Sequence, residues 1–426
     1  MKVQNNLTKI FLRIASIQLF SRGIALLSGV IVARVLGPEG YGYYTFVLST
    51  IIFAMIPSIA GLPPLLIREI AKYRIEKAHS LFVGILIWSK RHVMSISLIM
   101  TMIYCYISLW IGKDSSMIML MLIGSALISF KGLIIRHEAI LNGLQHPALA
   151  LLPMAIFAPL TFLVIISISY YFYDVSLDVE YLLYFQIIVH ILALVLSGYL
   201  VRRIRSHRSS KVIALFEKKH WYKALMPFTM LTLIGAMSGE LATILLGILS
   251  GGTAVGYFKV AIQAVSMFAL GLDSVNKVTA PKIASLYNQG DFVEMQRLLK
   301  SSVRISVLSS LPFALLLIVF GKLFVTLLFG ETYLPAYNLI LILCLGQIFN
   351  VGMGSVGLVM NMTGHERRTL RTDLIVLFVS LVLLISLIPL YGAMGAAITV
   401  TIAMIVWNII MAIDVYRLTG LKTWLR

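Results

Sequence analysis

The sequence predicts an all-α integral membrane protein with about twelve transmembrane helices in two six-helix bundles. Hydrophobic residues make up 60% of its 426 residues and charged residues only 12%, which is the composition of a membrane protein. Apolar windows of about 20 residues, the length that crosses ~30 Å of hydrocarbon, follow one another along the chain. Two sequence patterns also recur about half a chain apart. No segment has the composition of a separate soluble domain.

The apolar windows define the predicted spans, which are separated by short polar or glycine-containing connectors. They cover residues 14–36, 43–67, 92–111, 116–140, 148–172, 181–201, 224–249, 254–276, 303–329, 334–361, 373–390 and 392–414. The stretch "LFVGILIWSKRHVM", residues 81–94, fits either the first turns of the third span or a separate helix lying in the headgroup region. The first span is too long for a cleavable signal peptide and continues directly into the second.

Basic residues concentrate in alternate connectors, which predicts the orientation, because loops rich in Lys and Arg stay on the cytoplasmic side. With the N-terminus inside, most of the 35 Lys and Arg residues fall on that side. The opposite connectors carry six acids and one clear base: Glu39, Asp114, Asp174, Asp178, Glu180, Glu331 and Lys113. Both termini are therefore expected in the cytoplasm. The net charge of +18 reflects topology and attraction to anionic membrane lipids rather than nucleic-acid binding.

An internal repeat is predicted from two pairs of similar segments, the first and the second echo. The glycine-rich joint between the first two spans is the segment "GVIVARVLGPEGYGYYTFVLS", residues 29–49. It is similar to "LLGILSGGTAVGYFKVAIQAVS", residues 245–266, with a shift of 214 residues that pairs Gly37 with Gly251. "ILNGLQH", from Ile140, matches "VMNMTGH", from Val359, with a shift of 219. Two six-span halves have parallel topology, and such bundles enclose a cavity near the membrane midplane. We therefore expect an N-terminal lobe at 1–205, a basic cytoplasmic linker at 206–223 and a C-terminal lobe at 224–426 around a central cavity.

The glycine-rich joint after the first span has two interpretations. Glycine and proline supply the backbone geometry of a tight turn at the outer surface, where Tyr41, Tyr43 and Tyr44 would form an interfacial belt. Alternatively, the first and seventh spans, which border such joints, line the cleft between the bundles and move as the cavity opens. The two interpretations are compatible.

Charged side chains inside the spans are candidate site residues, because an ionised group near the bilayer centre costs several kcal/mol unless it meets water or a partner. Arg22, with Gln18 one turn earlier, is expected to face a water-filled cavity. Arg34 lies at the inner edge of the glycine-rich joint. All three are predicted to contact the substrate.

Glu240 and Lys259 lie on consecutive spans at heights that differ by ~6 Å, which a lysine stem can bridge. The predicted ion pair either only locks two helices together or contributes Lys259 to substrate binding and Glu240 to ion coupling. Lys131 is a cavity candidate, although it and Arg136 could instead snorkel to the inner surface. Asp273 is a second coupling candidate, or it caps or pairs near the inner end of its helix.

Signatures of enzymes and metal sites are missing from the sequence. It contains no G-x-x-x-x-G-K-[ST] phosphate loop, no G-x-S-x-G elbow and no histidines at metal-ligand spacing. Cys105 and Cys344 both lie in apolar runs, where cysteine acts as a small hydrophobe. We expect neither catalysis nor a cofactor or bound metal.

Several segments, in order along the chain, resemble the polysaccharide-transporter family of the multidrug/oligosaccharidyl-lipid/polysaccharide exporter superfamily, which includes the O-antigen flippases. They are "ARVLGPEGYGYYTFVLS", "RHEAILNGLQ", "VGYFKVAIQ", "APKIASLYNQGD", "FGETYLPAYNLILIL" and "PLYGAMGAAI". Glu240 stands where relatives often carry aspartate. The resemblance implies a two-lobed, twelve-span fold in the bacterial inner membrane. It also implies transfer of undecaprenyl-diphosphate-linked oligosaccharide from the inner to the outer leaflet.

The resemblance further implies a lipid-linked oligosaccharide as substrate, for O-antigen and lipopolysaccharide biosynthesis, with membrane lipids as partners. A polysaccharide polymerase and a chain-length regulator are the expected protein partners, and the chain is expected to act as a monomer. One alternative is a multidrug or cation antiporter of the same superfamily, although the excess of bases over acids within the spans disfavours cationic drugs. A major-facilitator transporter lacks support because its G-x-x-x-D-x-x-G-[RK]-[RK] loop is absent, and a purely structural scaffold would not explain the charges within the spans.

Overall fold

The computed structural model describes residues 2–112, 114–172, 177–204, 213–268 and 270–425, without the side chains of 2–15, 18, 19, 171, 172, 227, 228, 231, 236 and 270. These residues form α-helices joined by short turns. The helices are α1 Lys2–Ile59, α2 Leu62–Ile75, α3 His79–Ile111, α4 Ser115–Gly124, α5 Ala126–Gly143, α6 Pro147–Leu151, α7 Ala158–Phe172, α8 Val179–Ile204, α9 Lys218–Ser250, α10 Gly252–Ser266, α11 Leu270–Gln289, α12 Phe292–Leu328, α13 Ala336–Met353, α14 Val356–Met362, α15 Glu366–Tyr391 and α16 Ala393–Thr419. A π-helical turn at Leu152–Phe157 joins α6 to α7, and a 3-10 turn at Glu331–Tyr333 precedes α13.

Ten helical segments in the described residues are long and apolar enough to cross a membrane, or eleven when the bent pair α10 and α11 counts as one span. The longest, Phe20–Ile75, covers the second predicted span and most of the first, and α1 breaks between them at Gly37, which has a φ of 66° and a ψ of 178°. Counting these two spans separately brings the total to the predicted twelve. The all-α membrane fold class is confirmed.

The third span is one continuous helix. α3 begins at His79 and runs for 33 residues, which answers the question of whether a separate interfacial helix precedes residue 92. At 1.5 Å per residue it is ~50 Å long, well beyond the thickness of the hydrocarbon. The eighth span, in contrast, is broken, because α10 and α11 meet at an angle of 51°.

The glycine-rich joint is shorter than predicted. Instead of a loop from Gly37 to Gly42, a single non-helical residue, Gly37, interrupts α1, and the helix continues from residue 38. A left-handed φ is accessible to glycine without a Cβ clash, so one glycine suffices where the sequence suggested a longer turn.

The chain divides into two compact units, and the boundary interrupts α1. Unit 1 contains Met1–Leu36 and Val47–Ala236, and unit 2 contains Gly37–Phe46 and Met237–Arg426. The predicted linker at 206–223 lies in part outside the described residues, as do Lys113 and Asp174. The predicted lobe boundaries therefore stay a prediction.

Each unit has its own apolar core. In unit 1, buried residues of α2, α3 and α5 pack with Trp221 and Leu225 of α9. In unit 2, α11, α12, α14 and α16 surround a core that includes Ile283, Met295 and Met411. Each core is formed by buried apolar side chains from several helices and not by an apolar face of a single helix.

The predicted repeat is present in the backbone. Gly37 and Gly251, paired by the first echo, have nearly the same dihedral angles, with φ of 66° and 87° and ψ of 178° and −177°. In the second echo, Gln145 and Gly364 both have positive φ, 66° and 78°. Each turn contains the same hydrogen bond: the amides of His146 and His365 donate to the carbonyl five residues earlier, at a distance of 2.9 Å in both cases.

A third repeated turn was not predicted. Lys77 and Gly290, 213 residues apart, have φ values of 53° and 72°. The amides of the next residues, Ala78 and Asp291, donate to the carbonyls of Tyr73 and Leu286 at 2.9 and 3.1 Å. The side chains at these positions differ, so only the backbone reveals the match.

Candidate functional site

The predicted ion pair between α9 and α10 is present. Lys259 Nζ lies 3.2 Å from Glu240 Oε2, and the two side chains are 21% and 20% exposed. Both residues belong to unit 2. Partial burial strengthens the attraction relative to water, while the remaining exposure leaves both groups accessible to a ligand or a proton.

The glycine-rich segment 38–46 crosses α10 at very short range within unit 2. A Cβ built on Gly42 would lie 1.7 Å from the carbonyl oxygen of Gly252, and one built on Gly256 would lie 2.1 Å from that of Pro38. The 214-residue shift maps Gly42 onto Gly256 and Pro38 onto Gly252, so the two contacts are equivalent under the repeat. The glycines therefore serve close backbone approach as well as turning.

Tyrosines from three segments of unit 2 meet next to this crossing. The Tyr41 hydroxyl donates to Gln263 Oε1 at 3.2 Å, and the Tyr41 and Tyr257 rings each pack edge-on against Tyr333. Tyr333 is fully buried in the turn before α13, and burial raises the pKa of its hydroxyl. Tyr41 and Tyr44 are each only 5% exposed, so the expectation of an interfacial belt is wrong for these two.

The other candidates are placed along several helices. Arg22 and Arg34 are exposed on the first stretch of α1, about 18 Å apart along the helix axis. Lys131 is half-buried on α5, and Asp273 is half-buried in the first turn of α11. The side chain of Gln18 lies outside the described residues.

The snorkelling alternative is wrong for Arg136. Its side chain on α5 is only 5% exposed, with Nε donating to Ser89 Oγ at 3.0 Å and Nη2 to the Leu86 carbonyl at 2.6 Å. Both partners belong to α3 and both are neutral. The guanidinium therefore turns into unit 1 and does not extend to the surface.

Sequence reasoning missed a buried acid in unit 1. Glu69 on α2 is 2% exposed, and its Oε1 accepts from Arg68 Nη2 at 2.8 Å and Nε at 3.0 Å. Its Oε2 has no hydrogen-bond partner among the described residues. The helical spacing of Leu62, Leu65, Leu66 and Glu69 was the available signal, since it puts Glu69 on the buried face of α2.

A family model of polysaccharide biosynthesis proteins matches residues 7–287, well over half of the chain. The chain belongs to this family. Within the polysaccharide biosynthesis family, the capsular polysaccharide biosynthesis protein CapF of Staphylococcus aureus is 27% identical over 181 residues, covering 42% of this chain and 46% of CapF. The probable flippase AglR of Haloferax volcanii is 25% identical over 173 residues, covering 40% of this chain and 36% of AglR. The match thus spans less than half the length of each relative.

Solved structures of transporters have the same fold. A lipid II flippase, MurJ, in an inward closed conformation superimposes with a TM-score of 0.76 at 16% identity, covering 94% of this chain and 87% of MurJ. An inward-facing multidrug resistance MATE family transporter of the MOP superfamily superimposes with a TM-score of 0.74 at 14% identity, covering 95% of this chain and 98% of that transporter. The predicted relation to polysaccharide biosynthesis proteins is confirmed by the family model, and the predicted fold is confirmed by these structures.

Proposed function

We propose that the protein is a flippase. It moves an undecaprenyl-diphosphate-linked oligosaccharide from the inner to the outer leaflet of the cytoplasmic membrane by alternating access, for O-antigen or a similar surface polysaccharide. The family match over residues 7–287 carries the proposal, since it connects the chain to polysaccharide biosynthesis. The likeness in sequence to a probable flippase and in fold to a lipid II flippase supports it.

The substrate's chemistry agrees with the charges of the spans. A sugar diphosphate headgroup cannot cross hydrocarbon, whereas its polyprenyl tail can remain in the lipid, so the protein must supply a polar path for the headgroup alone. Arg22 and Lys259 are the proposed contacts for the diphosphate or acidic sugars. Gln18, Arg34 and Lys131 are further proposed substrate contacts along the path. Guanidinium and ammonium groups make strong charge-assisted hydrogen bonds to phosphate.

Glu240 is the proposed coupling residue, with Asp273 as a second candidate. Glu240 holds Lys259 at 3.2 Å, so a diphosphate that approaches Lys259 would compete with this carboxylate. Protonation of Glu240 would weaken the pair and free Lys259 for the substrate. Binding must stay modest in both states, because a headgroup held too tightly would not be released outside.

The proposal is tested by deleting the gene and determining where lipid-linked oligosaccharide accumulates. An impermeant lectin or glycosidase, applied to intact cells and to inverted membrane vesicles, reports the leaflet. We expect accumulation restricted to the inner leaflet and loss of surface glycan. Intact surface glycan without accumulation, together with sensitivity to cationic drugs, would instead favour the multidrug antiporter.

A further inference from the structure

Unit 1 contains a basic cavity that is separate from the candidate site residues. It has a volume of about 990 Å³ and lies between α3, α5 and α8. Its lining contains four bases and a histidine: Lys90, Arg91, Arg136, Arg202 and His137. Among the described residues, no acid lines it, and residues 205–212, which lie outside them, include no acid in the sequence. The cavity is therefore strongly electropositive.

The innermost base points to an anionic ligand. Arg136 is 5% exposed, and its two hydrogen-bond partners, the Leu86 carbonyl and the Ser89 hydroxyl, are neutral. Among the described residues, none of the five cavity groups has a carboxylate within 4.0 Å. A buried cation without a counter-ion is costly, and an anion in the cavity would remove that cost.

Hydrogen bonds fix the cavity's walls in place. Arg136 connects α5 to α3, and His137, the next residue, connects α5 to α8 through a 2.9 Å hydrogen bond between its Nδ1 and Ser197 Oγ. Gly198 on α8 faces this imidazole, and a Cβ there would make an ordinary van der Waals contact of 3.7 Å with His137 Cε1. The cavity is thus built into the helices and does not depend on a loop.

The cavity's surroundings favour a lipid over a soluble anion. On α3, the exposed Met94, Leu98 and Met102 continue along the helix from the bases Lys90 and Arg91. On α8, the exposed Tyr199, Val195 and Leu192 lead in the same direction away from Arg202. A phosphate placed among the bases would thus have acyl chains lying along exposed apolar surface, as in a membrane-anchored lipid.

We propose that this basic cavity binds the phosphate headgroup of an anionic phospholipid from the leaflet on the side of the basic connectors. Arg136 and His137 form the floor, and Lys90, Arg91 and Arg202 form the rim. The bound lipid joins α3, α5 and α8 at one end of unit 1. The site takes a phosphodiester and is distinct from the residues proposed to carry the transported diphosphate.

Native mass spectrometry of the full chain in detergent tests the proposal, with phosphatidylglycerol and phosphatidylcholine as probes. We expect the wild-type protein to retain phosphatidylglycerol preferentially. The rim variant Lys90→Gln/Arg91→Gln/Arg202→Gln is expected to lose ~10-fold or more of that preference, because each base near the surface contributes to the attraction. All three rim residues are exposed, so the variant is expected to fold.

Two controls make the result specific. Lys282→Gln/Arg367→Gln/Arg371→Gln removes the same charge from exposed positions in unit 2 and should leave the preference unchanged. Gly198→Phe places a bulky ring next to His137 at the floor of the cavity without changing charge and should reduce the preference, whereas Gly198→Ala should keep it. Equal retention by the wild type and the rim variant would overturn the proposal. Complete displacement of phosphatidylglycerol by millimolar inorganic pyrophosphate would also overturn it, by assigning the cavity to a soluble phosphate.

Discussion

Replacing Gly42 by alanine is expected to prevent unit 2 from assembling correctly. The new Cβ would lie 1.7 Å from the carbonyl oxygen of Gly252, and the obstacle is backbone that cannot rotate away. Segment 38–46 and α10 would have to separate, at a cost of about 3 kcal/mol or more, the upper range for overpacking. Gly256→Ala should behave in the same way, because its Cβ would lie 2.1 Å from the carbonyl oxygen of Pro38. Thermal unfolding of the purified protein, followed by tryptophan fluorescence, measures the loss.

Gly23→Ala is the matched control for this prediction. Gly23 lies in the same helix, and a Cβ there would meet nothing within 4 Å, so alanine should be neutral or slightly stabilising. If Gly42→Ala unfolds at the same temperature as Gly23→Ala and the wild type, the close crossing is not required and this account of the glycine-rich joint fails.

Replacing Arg22 by alanine is expected to abolish export of the lipid-linked oligosaccharide without removing the protein from the membrane. Arg22 is exposed on the first stretch of α1, so the change leaves the apolar cores intact. Loss of a charge-assisted contact to the diphosphate should reduce transport by at least about tenfold. Complementation of the deletion strain measures surface glycan, and immunoblotting of membranes measures the amount of protein.

Arg22→Lys separates charge from geometry in the same strain. Lysine keeps the positive charge but loses the two-pronged contact of the guanidinium, so we expect partial export. Full export by Arg22→Ala at wild-type protein levels would remove Arg22 from the proposed substrate path.

The fold was largely predictable because membrane helices follow from the length and composition of apolar windows. α3 shows where that signal ends: a helix that continues past the membrane and a separate interfacial helix give similar patterns, so sequence alone left both open. The repeat at Gly37 and Gly251 was visible because glycine was needed at both positions. The equivalent turn at Lys77 and Gly290 was not, since its backbone conformation is shared while its residues differ.

The candidate site was predictable only in part. Glu240 and Lys259 lie close enough in sequence for helix geometry to place them side by side, and the structure pairs them. The burial of Arg136 depends on its contacts with α3, which a count of charges within single spans does not show. The burial of Glu69 was visible only in the spacing of its apolar neighbours on α2. The close approach of Gly42 to Gly252 likewise depends on tertiary packing and not on local propensity.

Reconstituted transport tests the central claim most directly. The purified protein would be placed in liposomes with lipid-linked oligosaccharide extracted from the deletion strain, and an impermeant glycosidase would report the fraction exposed outside over time. The account predicts rapid movement between leaflets by the wild type and little by Arg22→Ala. It also predicts that Glu240→Gln makes movement insensitive to an imposed proton or sodium gradient. Movement no faster than in protein-free liposomes, under any gradient, would contradict the assignment as a flippase.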